Sequence, residues 1–131
     1  VYKQAWEKAG HTPQECRVGI HVLGYVDDES GQAKDDFFPG YQHIFSMIGK
    51  ERGWSEVTRE HFDRQVSPEG AFLVGSPEEV AEKMIQHSHD LGGISRCTFQ
   101  MNVAALPHEM LMKSIELIGT KVAPIVKQQL K

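Results

Sequence analysis

The sequence has 131 residues, with 14 Lys and Arg against 18 Asp and Glu, a formal net charge of −4 and 40% hydrophobic residues. Such values suit one soluble globular domain with an ordinary core and exclude a disordered or collagen-like chain. With no Lys/Arg run, nucleic acid is not an expected partner; with no window near the roughly 18 apolar residues of a membrane span and no signal-peptide pattern at Val1, a cytoplasmic setting is expected.

Two cysteines, Cys16 and Cys97, lie far apart with no ligand-spaced Cys or His beside them, and are expected to be free thiols. The first residues already read as the body of a helix, which suggests a cut chain. Tyr2 to Ala9 carries Ala5, Trp6 and Ala9 at helical spacing and stops at Gly10. Arg17 to Val26 is rich in β-branched and aromatic residues and reads as a strand apolar on nearly both faces. One phase holds Val18, Ile20, Val22 and Val26, suited to packing on helices; the other holds Gly19, His21, Leu23 and Tyr25.

Ser30 to Gly70 is long for a connection between a strand and the next strand, and an inserted lid or binding segment of helices is expected there. Ser30 to Phe38 is predicted helical, Pro39-Gly40 is predicted to interrupt it, and Tyr41 to Arg52 resumes it. A third helix is predicted over Val57 to Gln65, before the turn Ser67-Pro68-Glu69-Gly70.

Ala71 to Gly75 is a short apolar strand running into Ser76-Pro77-Glu78-Glu79. Ser76 is the N-cap, Pro77 sits where its missing N–H costs nothing, and Glu79 closes a capping box. The helix continues through Val80, Ala81, Met84, Ile85 and Leu91 to a glycine stop. Ser95 to Val103 is the third strand, alternating Arg96, Thr98, Gln100 and Asn102 against Cys97, Phe99, Met101 and Val103. Pro107 opens the last helix, with Leu111, Ile115, Ile118, Val122 and Val126 on one predicted buried face, a Glu109–Lys113 pair, and a kink at Pro124. The methionines 84, 101, 110 and 112 read as core filler.

Strand, helix, strand, helix is the logic of a parallel sheet or a (β/α) barrel, with functional groups at the C-terminal strand ends. Phosphate-loop, nucleophile-elbow, zinc-helix and dinucleotide motifs are all absent, so no reaction follows from motif. Among single residues, His21 stands out: a histidine in an apolar strand either serves a ligand or is a satisfied core side chain. The Gly75-Ser76 turn either faces an anion with free N–H groups or merely caps a helix. Arg96, Thr98, Gln100 and Asn102 either line a polar cavity or form an exposed sheet face. Arg52 and Trp54 form either a cation–π clamp or a surface pair. His87 and His89 point to different helix faces, and no metal site is expected.

The ordered set FLVGSPEEVAEKM, SRCTFQMNV and LPHEMLMKSIELIGTKVAPIV, with YKQAWEKAGH, VGIHVLGYVDD and KERGW before it, closely resembles the C-terminal end of luciferase-like flavin-dependent monooxygenases. That resemblance implies an α/β fold, a partial (β/α)8 TIM-type barrel of about three βα units, with a helical insertion between the first and second strands. Residues 1–131 would be the C-terminal part of the barrel domain, with 30–70 as the insertion and the sixth, seventh and eighth strands supplied here. A complete barrel takes about 250 residues, so five strands would lie outside this chain.

The resemblance also implies FMN, or the deazaflavin F420, in the parent protein, which would use reduced flavin and O2 on a small organic substrate. The chain alone would bind no cofactor and be inactive. His21 would hydrogen-bond substrate or the oxygenated flavin, Gly75 and Ser76 would touch the cofactor, and Arg52, Arg96, Gln100 and Asn102 would line the cavity. Exposed sheet edges or exchange of the last helix would drive self-association. The competing reading is a short non-catalytic α/β module that binds a small molecule or oligomerises.

Overall fold

A computed structural model describes residues 1–130. A first helix, α1 (Tyr2–Lys8), is followed by a 3₁₀ turn (Pro13–Glu15) and strand β1 (Gly19–Val26). Helices α2 (Ser30–Arg52) and α3 (Arg59–Val66) lead to β2 (Leu73–Gly75) and α4 (Pro77–Asp90). Strand β3 (Arg96–Gln100), a 3₁₀ turn (Asn102–Ala104), α5 (His108–Leu117), a π segment (Ile118–Val122) and α6 (Ala123–Gln129) complete the chain.

All strand pairs are parallel, and β1 is central, in the order β2-β1-β3. Consecutive barrel strands would instead place the second strand in the middle, so the sheet departs from that expectation. The hydrogen bonds explain the order. The Asp27 N–H donates to the Gly75 carbonyl at 3.2 Å, and the Ser95 N–H to the Val18 carbonyl at 2.7 Å. Because backbone direction alternates along a strand, the odd-numbered peptide groups of β1 face β2 and the even-numbered ones face β3. Each neighbour covers part of β1: β2 lies opposite Gly24 to Val26, and β3 opposite Gly19 to Leu23. Beyond β3, the Val26 N–H meets the hydroxyl of fully buried Ser114 at 2.8 Å.

The sheet has a core on each face. Val26 and Leu73 pack with Val80, Ala81, Leu117 and Val122 of the later helices, joined by half-buried Val22, Cys97 and Phe99. Tyr25 and Val74 pack on the other face with Ala33, Phe37, Tyr41, Phe62 and Val66 of the insertion. The two-phase reading of β1 thus corresponds to two packed layers. Gly24 sits where a side chain would overlap the Phe99 ring.

Several local expectations need correction. Pro39-Gly40 does not divide α2, which runs unbroken from Ser30 to Arg52. Pro39 removes one backbone bond, yet Ala33, Phe37 and Tyr41 keep one buried stripe through it. Gly40 has another cause: a Cβ there would overlap the Ala104 backbone. The third strand ends at Gln100, and Asn102 lies in a 3₁₀ turn that closes on left-handed Ala105 (φ 50°).

In the last helix, Ile115 (52%) and Met112 (50%) are exposed, while Ser114 and Leu117 are buried. The π segment before Pro124 shifts the buried face and absorbs the missing N–H without requiring a break. Lys113 pairs not with Glu109 but with Asp27 (2.7 Å) and Asp28 (3.0 Å), two carboxylates at the end of β1. Leu91, expected on the buried stripe of α4, is exposed at its C-terminus.

Candidate functional site

His21, the third of the eight residues of β1 and so in its N-terminal half, is in register with Thr98 of β3, two residues before Gln100. Period-two alternation puts Arg96, Thr98 and Gln100 on one face of β3, and the parallel register brings that face beside the histidine. The ring is held at both nitrogens: Nδ1 lies 2.8 Å from Thr98 Oγ1, and Nε2 lies 3.2 Å from Gln100 Oε1. Thr98 donates its own proton to the Ile20 carbonyl at 3.3 Å. Its oxygen can then accept Nδ1–H, while Gln100 Oε1, a carbonyl oxygen, accepts Nε2–H; the neutral ring carries one such proton and makes one of these two bonds at a time. The ring is exposed, so Nε2 and Gln100 are open to a small molecule approaching the sheet.

The other sequence candidates do not join this group. Arg96 is exposed on β3 opposite Gly19, and Asn102 has left the strand. The Arg52 guanidinium stacks 5.2 Å from the Trp54 ring centroid at the far end of α2, around left-handed Gly53. Gly75 and Ser76 sit at the end of β2, paired with Val26, five residues beyond His21 and so roughly 16 Å along the strand.

At that second place Ser76 Oγ caps α4 by accepting the Glu79 N–H at 3.3 Å. The Glu79 carboxylate folds back against Gly75, whose Cβ it would meet. It accepts from Lys34 Nζ at 2.8 Å and from the Ser30 hydroxyl. Burial pushes its pKa up, but hydrogen bonds from Lys34, Ser30 and the Ser76 backbone, with the Lys34 charge, outweigh that and hold it below the ordinary range. The turn therefore already holds an anion of its own.

Thr98 was legible only as part of an alternating polar face, and its pairing with His21 needed the strand register. Ser30 and Lys34 at Glu79 carried no sequence signal, since the partners are 49 and 45 residues apart. Cys16 and Cys97 are free thiols, and burial pushes Cys97 up to about 11. Among the described residues, no group of three or more His, Cys, Asp or Glu side chains is placed to hold a metal ion. No described helix is long and apolar enough to cross a membrane.

No family model matches the sequence, and no curated protein does. Solved structures do. The chain matches monooxygenase RslO1 from Streptomyces bottropensis with a TM-score of 0.66 at 21% identity, over 94% of this chain and 35% of that one. It matches a type II Baeyer–Villiger monooxygenase from Pseudomonas putida, the oxygenating constituent of 3,6-diketocamphane monooxygenase in complex with FMN, with a TM-score of 0.64 at 26% identity, over 96% of this chain and 38% of that one. In structure the chain resembles flavin-dependent monooxygenases. Its fold class is that of a partial (β/α)8 barrel, and it spans little more than a third of either neighbour.

Proposed function

We propose that this chain is the C-terminal part of a flavin-dependent monooxygenase that uses reduced flavin and O2 on a small organic substrate. The observation that carries the reading is the match over 96% of the chain to a monooxygenase that holds FMN. The domain assignment belongs to the same proposal: residues 1–131 form part of one barrel, and 30–70 are its inserted helical connection. The two free thiols support a cytoplasmic setting.

The residues present fit part of a flavin site. His21, Thr98 and Gln100 offer a hydrogen-bonding edge on an open sheet face, suited to a heteroaromatic ring or a substrate carbonyl. Gly75 and Ser76 do not fit a phosphate as they stand, because the Glu79 carboxylate would repel it; a cofactor contact there would be made by the backbone alone. Arg96 and Gln100 would line the cavity from β3, with Asn102 in the turn at its margin, while Arg52, at the far end of α2 on Trp54, would not reach it. Bound FMN would supply the reducing equivalents and the activation of O2, whereas the deazaflavin F420 would supply hydride only. Within the chain, Thr98 fixes the ring of His21, and Nε2 bonds the substrate; no neighbouring group makes the histidine a nucleophile.

Three strands do not close a barrel, and the odd edge of β1 before Gly24 has no neighbouring strand among the described residues. The chain by itself is therefore expected to self-associate through that edge or by exchanging its last helix, and to show no flavin-dependent turnover. The test is O2 uptake with reduced FMN by the protein translated from the whole reading frame. Turnover that falls about 100-fold in His21→Ala supports the reading. Failure of that protein to bind FMN or F420, or full turnover by the isolated chain, overturns it.

A further inference from the structure

A wide cleft lies away from the sheet, in the insertion, between the second half of α2, the connection after it and α3. Its volume is about 600 Å³, within the range of small-molecule sites. Tyr41, Phe45 and Trp54 give it aromatic walls, and His61 and Arg64 stand on its α3 side. The Tyr41 and Phe45 rings lie 4.8 Å apart, tilted by 40°.

Two features separate this cleft from a packing defect. Trp54 is 53% exposed although its backbone is fixed by the N–H bond to the Gly49 carbonyl at 2.9 Å. Its indole is braced by Arg52, so an aromatic face is held open to solvent instead of folding onto the core. Tyr41, by contrast, is 3% exposed, and burial alone raises its pKa. It forms the inner wall, while Trp54 forms the outer one.

The charges choose among flat ligands. Arg64 makes one ion pair, through Nη1 to Glu60 at 3.1 Å, and both partners are largely exposed. A pair of that kind is weak and leaves most guanidinium donors free. His61 lies on the same wall, three residues away, with its backbone N–H given to Thr58 Oγ1 and its ring free of that cap. Glu56 is the acid in the lining and sits on the connecting segment, so an anionic group is favoured at the α3 end only.

We infer that this cleft binds a planar aromatic carboxylate, with its ring between Tyr41, Phe45 and Trp54 and its carboxylate at Arg64 and His61. The inference is independent of the flavin reading, because none of these residues belongs to the His21 group.

The experiment is isothermal titration calorimetry of the purified chain with 2-naphthoate and, separately, with neutral 2-naphthylmethanol. Saturable binding of naphthoate is expected, with affinity about tenfold weaker for the neutral analogue and about tenfold weaker in Arg64→Gln and in Trp54→Ala. Both side chains are exposed, so both variants are expected to fold, and circular dichroism checks this. Absence of saturation up to about 10 mM naphthoate overturns the site. Equal affinity for the two probes overturns the role of charge, and unchanged affinity in both variants overturns the location.

Discussion

His21 and Thr98 face each other across a parallel strand pair, with Nδ1 2.8 Å from the threonine oxygen, and that oxygen is already a donor to the Ile20 carbonyl. Gln100 Oε1 is an acceptor at Nε2, so the two partners compete for the single N–H of the neutral ring. In Thr98→Val the ring loses its acceptor at Nδ1, and long-range 15N–1H spectra should show the neutral ring moving from Nδ1–H toward Nε2–H. Because the pair is exposed, stability should change by no more than about 0.5 kcal/mol. An unchanged tautomer would mean that Thr98 does not orient the ring.

Gly40 approaches the Ala104 backbone more closely than any side chain permits. Gly40→Ala should therefore destabilise the chain by about 1–3 kcal/mol through forced separation of α2 from the 3₁₀ turn, despite alanine's better helix propensity. Gly119, with nothing near its missing Cβ, is the control. There Ala should be neutral or stabilising, and urea unfolding midpoints distinguish the two.

Ser114 is fully buried on α5 and accepts the Val26 N–H. Removing the hydroxyl leaves a buried backbone donor without a partner, a cost of about 1–3 kcal/mol. Ser114→Ala should lower the unfolding free energy by that amount. It should also speed exchange of the Val26 amide in hydrogen-exchange NMR.

Lys83 is 7% exposed and donates to the backbone carbonyls of Phe72 (2.6 Å) and Gln65 (3.2 Å). Burial lowers its pKa from 10.5 to about 8. Below about 8 both folded and unfolded chains carry the proton, so the folded state bears the full cost of a buried charge. Between about 8 and 10.5 the unfolded chain binds more protons, and stability rises with pH by at most about 3 kcal/mol. Cys97, raised to about 11, and Tyr25, raised to about 12, act in the opposite sense once their unfolded counterparts ionise. The clean measurement is thus the difference between the wild type and Lys83→Met: it should shift in favour of the wild type between pH 8 and 10.5.

What was legible in the sequence was local. Ser76, Pro77 and Glu79 announce a helix start because the capping bond spans three residues, and the two phases of β1 announce two covered faces because alternation is a property of one strand. What was illegible depends on distant partners. Pro39 reads as a break until Phe37 and Tyr41 are seen buried on the same side of α2. Lys83 carried no sequence signal, since the carbonyls that hold it come from the end of α3 and the residue before β2. At the candidate site, His21 was visible as an anomaly in an apolar strand. Its partners depended on which strand lies beside β1.

The alternation of peptide groups along β1 gives His21 two separate attachments. Its ring bonds side chains of β3, while its own N–H and carbonyl point to the opposite edge, beyond the reach of β2. A strand that extends the sheet there must engage the backbone of the very residue whose imidazole faces the open surface. Sheet completion and imidazole chemistry are therefore mechanically linked, and an NMR signal from this one ring would serve as a gauge of whether the sheet has been closed.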